Sequence, residues 1–373
     1  MEFNTLTGEI SEYPSLKRGE KIGIGFNLHP AGSLLLFISN KLVKVEKKQA
    51  LMLVKHELKS SEGLKIDRVS SNTLTLDYCD LFLDQHKEKG LYYYTAANKI
   101  WQHHGFKEDN PWVNATQYKT DVIDRDTFGL KSGFDAEYHF LVKPGVDKTT
   151  LSAVIERPSL WKVEINGEVV DARENEWWLD RQFGVFDIGD KVQDGQNSIR
   201  LITHPMSVYA ELEPVYILGG FSLESAVHGW TIIPEKTLTI GQWTEQGLPF
   251  YKDGISYTKS VDLKKDSKGI LVKLNEWRGT VATVLINGKD VGIIGWPPYE
   301  LEITNNIVEG KNEISVIVYG SLKNLLGPHH NVRDRGIVTP WSFKYAPEKQ
   351  PAGLDYDLDG YGLLDEFQVF EMK

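Results

Sequence analysis

Apolar and polar residues alternate with period two along most of the chain. KIGIGFNL (21–28), GSLLLFIS (32–39), NTLTLDYC (72–79), SLWKVEIN (159–166), NSIRLIT (197–203), KGILVKLN (268–275), TVATVLIN (280–287) and NEISVIVY (312–319) are short runs rich in β-branched residues. Gly, Asn, Asp and Pro punctuate them, which is the pattern of antiparallel strands with one face buried. One stretch breaks the pattern: TAANKIWQHHG predicts a short helix over Ala96–His104, with Gly105 as its C-terminal cap and His103 and His104 at the surface near its negative end. The chain therefore reads as all-β.

Two segments echo each other. WKVEINGEVV (161–170) with DGQNSI (194–199) is matched by ATVLINGKDVG (282–292) with EGKNEISV (309–316). Each is a strand, an Asn-Gly turn, and a Gly-x-Asn turn into a further strand. Asn-Gly suits a two-residue type I′ hairpin because both central residues need positive φ, so Asn166-Gly167 and Asn287-Gly288 are scaffold chemistry. The echo predicts two related β-sandwich modules.

Length and composition narrow the field. A chain of 373 residues with 41% hydrophobic content supports two or three cores. The domain division expected is 1–130, an N-terminal β-sandwich holding the helix; 131–212, a sandwich or jelly-roll module; and 213–373, a C-terminal jelly roll. A net charge of -10 and no run of basic residues argue against nucleic acid as a partner. No apolar run reaches the roughly 20 residues that span a bilayer, so no membrane span is expected, and MEFNTLTGEI lacks the basic and apolar regions of a signal peptide. Cys79 is the single cysteine, and within LTLDYCDLFLD it reads as a core thiol.

Candidate chemistry is sparse. DYDLDGYGLLDE (355–366) has the spacing of an EF-hand loop, with Asp355, Asp357, Asp359, Gly360 and Glu366 in the ligand and turn positions. However, Gly362 stands where an apolar residue belongs, and PAG before it and FQVFEM after it are not helices. Asn275-Glu276 in LNEW has the look of a glycosidase acid/base pair, yet it sits in an alternating strand. His204, His329 and His330 lack zinc spacing, and His329-His330 reads as a packed loop. The sequon at Asn114 enters no argument.

A resemblance is carried by TGEI (7–10), PAGSLLLFI (30–38), NPWVNATQY (110–118), EPVYILGGF (213–221), QGLPFYKDGISYTK (246–259), INGKDVGIIGWPPYELEIT (286–304) and GSLKNLLGPHH (320–330). Together they resemble the C-terminal region of large bacterial glycoside hydrolases, α-L-rhamnosidase-like or bearing a glycoside hydrolase family 2 type sugar-binding domain. The resemblance implies tandem antiparallel β-sandwiches, the last one or two jelly-roll and galactose-binding-like, that follow a catalytic (β/α)8 barrel. It also implies a periplasmic or secreted setting. A barrel takes about 250 residues of alternating strand and helix, which this sequence does not offer. The expectation is thus an excised or separately encoded accessory part with no catalytic residue, whose partners are a carbohydrate and a catalytic barrel domain or subunit. No cofactor is required. Jelly rolls of this type often carry a structural calcium, for which one or two of Asp355, Asp357 and Asp359 are the candidate ligands.

Sugar binding needs exposed aromatic faces with polar groups beside them. The candidates are Trp177, Trp178 and Arg181 in ENEWWLDRQ, and Trp296 with Tyr299 in GWPPYELE. Strand alternation turns one of Trp177 and Trp178 outward. Residues near Trp101 to Trp112 are expected to expose the apolar footprint of the missing barrel. Two other classes stay open: a stand-alone β-sandwich hydrolase or lyase, and an adhesion or interaction protein.

Overall fold

The computed structural model describes residues 1–373 except 6–7, 27, 29–31, 42–44, 48–54, 108–109, 114–115, 265, 268, 332–336 and 373. The sequon asparagine lies outside them. Among the described residues the chain is all-β, and its sheets are antiparallel apart from short parallel pairings such as Leu141–Val142 with Thr231–Ile232. The longest helix, Tyr93–His103, starts three residues earlier than the sequence predicts, and Gly105 follows it with φ of 85°. His103 is exposed and 3.2 Å from Asp84, but His104 is half-buried, with Nδ1 2.7 Å from the Ile100 carbonyl and Nε2 accepting from Gly133 N–H.

Backbone contacts gather the chain into two compact units, each assembled from separated stretches, where the sequence suggested three consecutive blocks divided at 130 and 212. Unit 1 comprises residues 1–65, 256–318 and 365–373, and unit 2 comprises residues 66–255 and 319–364. The interleaving has a structural cause in unit 1. There the strand Gln368–Met372 lies between Ile270–Lys273 and Lys55–Leu58, so three distant stretches share one ladder.

Unit 2 is built on two sheets. One runs His86–Tyr92, Tyr78–Leu83, Phe134–Val142, Gly195–Thr203, Lys162–Ile165 and Glu168–Val170; the other runs Ala172–Trp178, Asp180–Asp187, Ser152–Glu156, Val215–Gly219 and Asn72–Leu76. Phe134–Val142 shows why they form: Phe134, Ala136, Tyr138, Phe140 and Val142 are buried, while the residues between them are not. That period-two face joins one apolar core with Leu74, Ile155, Phe186, Ile199, Ile217 and Phe250. Cys79 lies in it, as expected, and burial pushes its thiol pKa up. Trp101, expected near an exposed apolar footprint, is 1% exposed and packs on Phe106; the helix turns this ring into the core of unit 2.

The sequence echo appears as the same hydrogen-bonded clasp in each unit. In unit 2, Asn166 N–H donates to the Ser198 carbonyl (3.0 Å) and Asn166 Oδ1 accepts from Ser198 N–H (2.9 Å). In unit 1, Asn287 makes the same pair with Glu313, at 2.8 and 2.8 Å. Behind each turn sits a buried asparagine. Asn197 Nδ2 donates to the Gln193 and Gly195 carbonyls while its Oδ1 accepts from Gln193 N–H and Asn166 Nδ2. Asn312 repeats this with Val308, Gly310 and Asn287. The turn residues Asn166, Gly167, Asn287 and Gly288 have φ of 51°, 85°, 52° and 79°, as a type I′ turn requires.

Asn197 and Asn312 are 1% and 0% exposed, so removing either amide strands backbone groups away from water. Asn197→Ala and Asn312→Ala should each lower stability by on the order of 2 kcal/mol in urea unfolding followed by circular dichroism. Losses below about 0.5 kcal/mol for both would show the clasps to be incidental.

Candidate functional site

The loop Ala210–Pro214 enters the strand Val215–Gly219 with its side chains alternating. Ala210 and Leu212 go to the core, at 1% and 2% exposure, leaving Glu211 and Glu213 on the opposite side. The neighbouring strand Ser152–Glu156 pairs Val154 with Tyr216, a register that carries Glu156 alongside the Glu213–Pro214 step. Three carboxylates are thus brought together by strand pairing.

Among the described residues, Arg157 is the cation that answers them. Arg157 sits in the left-handed region with φ of 49°, a conformation uncommon for a residue with a Cβ. This turn holds its guanidinium near Glu211 (3.6 Å) and Glu156 (3.7 Å) while Nη1 donates to the Tyr209 carbonyl at 2.8 Å. Glu211 also accepts from Asn110 Nδ2 at 2.9 Å. Glu213 has no such partner: among the described residues its carboxylate makes neither a hydrogen bond nor an ion pair. Burial raises the pKa of all three acids. The Glu213 pKa is driven well above the usual carboxylate range, by burial first and then by the charges of Glu156 and Glu211.

Glu213 opens into a cavity of about 420 Å³ within unit 2, walled by Tyr93, Tyr94, Val113, Val338, Pro340 and Phe343, with Asn110 and Thr339 as further polar groups. The helix Tyr93–His103 supplies the tyrosines. A short 3-10 helix, Pro340–Lys344, supplies Phe343, and it is set by a capping box in which Thr339 and Ser342 exchange bonds, with Pro340 in its first turn. At one edge Trp112 stacks on Tyr209 at 6.0 Å and 27°.

Behind the wall lies a buried polar knot. Asp77, 1% exposed, accepts from Tyr356 Oη (2.8 Å) and lies 2.8 Å from His330 Nε2, while its carbonyl accepts from Tyr93 N–H (2.9 Å) at the start of the helix. Tyr356, Tyr92 and Tyr78 surround the His330 ring at 4.7, 5.5 and 5.8 Å. The His329 ring is also buried, which depresses its pKa to about 4, and its Nε2 lies 2.8 Å from the Asn324 carbonyl. The histidine loop packs, as the sequence suggests, and His204 is committed elsewhere, 3.0 Å from Asp135.

The sequence-derived sugar candidates fall in separate units. In unit 2, Trp177 is 53% exposed, whereas Trp178 packs against Tyr216 and Phe183, so alternation did turn one of the pair outward. Arg181 is exposed. In unit 1, Trp296 is 52% exposed, and Tyr299, with φ of 59°, sets its ring edge-on to Trp277. Asn275 is a strut, donating to Gln368 Oε1 at 2.9 Å, and Glu276 takes Asp365 N–H on its backbone carbonyl.

The three aspartates of the EF-hand-like stretch point to different tasks. Asp355 is exposed at the end of a 3-10 turn. The Asp357 carboxylate lies 3.6 Å from Lys323 Nζ, and Asp359 accepts from Tyr361 Oη at 3.2 Å while its backbone exchanges bonds with the Asn324 amide. Among the described residues, the ligand-type group whose atoms converge within 4.8 Å is instead Asp80, Glu137 and His139. There Lys87 already supplies a cation, 2.9 Å from Asp80 and 3.7 Å from Glu137.

No family model matches the chain. Over 120 residues, 31% of its length, it is 27% identical to a putative β-glucuronidase of Formosa agariphila, and it spans only 10% of that protein. Among solved structures it is similar to a rhamnosidase from Novosphingobium sp. PP1Y (14% identity, 64% of this chain and 23% of that one, TM-score 0.27). A glycosyl hydrolase family 2 member from Bacteroides cellulosilyticus (10% identity, 67% and 32%, TM-score 0.25) and a β-glucuronidase from Lactobacillus rhamnosus (11% identity, 69% and 40%, TM-score 0.26) are similar to the same degree. The chain therefore spans less than half of each, at a level that transfers no residue role. These relatives are glycoside hydrolases by name, and the matches do not assign the chain to a C-terminal region.

Glu213 generates a test with a defined sign. Its pKa is raised on folding, so the folded state holds the proton more tightly than the unfolded state above the ordinary value of 4.5. Stability from this group is full below pH 4.5 and is lost as pH rises through the raised native pKa. Glu213→Gln should therefore be more stable than the wild type at pH 8, by on the order of 1–3 kcal/mol, with the difference shrinking towards pH 4. Melting curves across this range would show it, and an equal or less stable variant at pH 8 would contradict the unpaired carboxylate.

Proposed function

We propose that the chain is a non-catalytic, sugar-binding part of a glycoside hydrolase, and that the Tyr93–Glu213–Phe343 groove of unit 2 is its sugar site. The single observation behind this is the groove's composition: an apolar, aromatic-walled cavity with a few convergent polar groups, the make-up that orients a small polar ligand on a hydrophobic surface. Its volume falls within the roughly 300–1,000 Å³ of small-ligand pockets. The stretch of similarity to a putative β-glucuronidase supports the glycoside hydrolase part of the reading.

In this reading the sandwiches are jelly-roll, galactose-binding-like modules that support or extend a catalytic barrel on the same or another polypeptide. Exposed Trp177 with Arg181, and Trp296 near Tyr299, are secondary contact points for a polysaccharide. A structural calcium at Asp355, Asp357 or Asp359 is retained as a minor proposal; adding and chelating calcium while following melting temperature tests it.

A second reading has one observation in its favour. Glu213, with its raised pKa, lies beside Glu211 and Glu156, and a proton-holding carboxyl next to other carboxylates is what general-acid chemistry on a glycosidic bond requires. In that case the chain would be a hydrolase in its own right.

The purified chain should be screened on a glycan array and, in parallel, against aryl-glycosides. Binding without turnover is expected, and Phe343→Ala should weaken binding about tenfold, roughly 1.4 kcal/mol, while leaving the circular dichroism spectrum unchanged. Turnover abolished by Glu213→Gln would replace the accessory reading with the second one. Silence in both assays would remove the sugar site.

A further inference from the structure

We propose that the unit 2 groove prefers a sugar bearing a primary amine, with the ammonium seated against Glu213. This inference rests on the sugar-site reading above and adds the chemical class of the ligand.

Charge balance in this partly open, aromatic-walled cavity decides which substituent it favours. Among the described residues, the cation that acts on Glu156, Glu211 and Glu213 is Arg157. Arg157 is already spent: it reaches Glu156 and Glu211 and donates to the Tyr209 carbonyl. Glu211 has a second partner in Asn110. Among the described residues Glu213 alone of the three is left over, facing a cavity whose other walls are mostly tyrosine, phenylalanine, valine and proline, with Asn110 and Thr339 as neutral polar groups. The lysine on the Phe343 segment, Lys344, places its ammonium over the Trp341 ring at 3.9 Å and 6.0 Å from the Tyr94 ring.

An unpaired carboxylate in such a place is costly to ionise, and a ligand can relieve that cost in different degrees. A hydroxyl offers one neutral hydrogen bond and leaves the repulsion from Glu156 and Glu211 untouched. An ammonium offers a charge-assisted bond and cancels part of that repulsion, and the tyrosine rings beside it favour a cation over their faces. A uronic acid brings a fourth carboxylate and is repelled. The groove thus ranks ligands by one substituent: amine above hydroxyl or acetamide, and carboxylate last. On this count its preference differs from the glucuronide that the name of the similar Formosa agariphila protein implies.

The test uses the full chain and four methyl β-D-pyranosides of the gluco series that differ at one substituent: the glucosaminide, its N-acetyl derivative, the glucoside and the glucuronide. Dissociation constants are read by ligand-observed NMR or calorimetry at pH 7. The glucosaminide should bind about tenfold or more tighter than the glucoside and the N-acetyl compound, with the glucuronide weakest. In Glu213→Gln, verified as folded by its melting curve, the amine-to-hydroxyl ratio should collapse to about one. Equal binding of glucosaminide and glucoside by the wild type overturns the inference and leaves the sugar-site reading standing, as does a preference that survives Glu213→Gln. No binding by any of the four also overturns the inference, and the glycan array decides independently whether the sugar reading falls with it.

Discussion

One buried carboxylate organises unit 2. Asp77 ends the strand Asn72–Leu76, and its side chain takes the hydroxyl of Tyr356 and stands against His330, while its backbone receives the first N–H of the helix Tyr93–His103. Three stretches separated by up to 279 residues are therefore fixed to a single residue that water cannot reach. A buried charge is tolerated only when its lone pairs are filled, and here the partners filling them also place the groove. The helix start presents Tyr93 and Tyr94 to the groove. Losing any partner would strand the carboxylate, so the wall of the groove and the stability of the core are one problem.

The groove inverts the logic of that knot. Around Asp77 the carboxylate oxygens are satisfied from within the chain, whereas just before the adjacent strand Glu213 is held among like charges with its own acceptor atoms facing the cavity. Folding brings both about by the same device, strand pairing that fixes side-chain register. The difference lies in what stands opposite: tyrosine and histidine in one case, empty volume and apolar walls in the other. A carboxyl placed so favours its neutral form until a donor or cation reaches it.

The scaffold was legible from the sequence because its signals are local. Alternation in FDAEYHFLV and the Asn-Gly turns need only neighbouring residues to be read, and both appear as expected, down to the repeated asparagine clasps. Gly105 likewise marked the end of the helix. The groove was not legible, because its parts come from residues 93–94, 110, 156–157, 211–213 and 338–343, and no spacing joins them. Glu213 had a local trace, the E-L-E-P alternation before a strand, but that pattern alone does not distinguish a solvated edge from a closed pocket. Trp101 was placed near an exposed footprint because the resemblance implied a missing barrel, and only the direction of the helix shows that its ring turns into the core. The acidic run Asp355–Glu366 had ligand spacing without convergence, since its aspartates are drawn to Lys323, Asn324 and Tyr361 instead.

The placement of Gln368–Met372 bears on how the molecule is made. This segment fills the gap between Ile270–Lys273 and Lys55–Leu58, so until it leaves the ribosome both neighbours present bare edges, each able to pair with the wrong strand or with another chain. Residues 66–255 do not pair with this segment, but their core in turn waits on 319–364, which bring His330 and Tyr356 to Asp77. Unit 1 must therefore keep its earlier-made pieces soluble until that segment is made, and the charged residues Lys55, Glu57, Lys273 and Glu371 along these strands are suited to that wait.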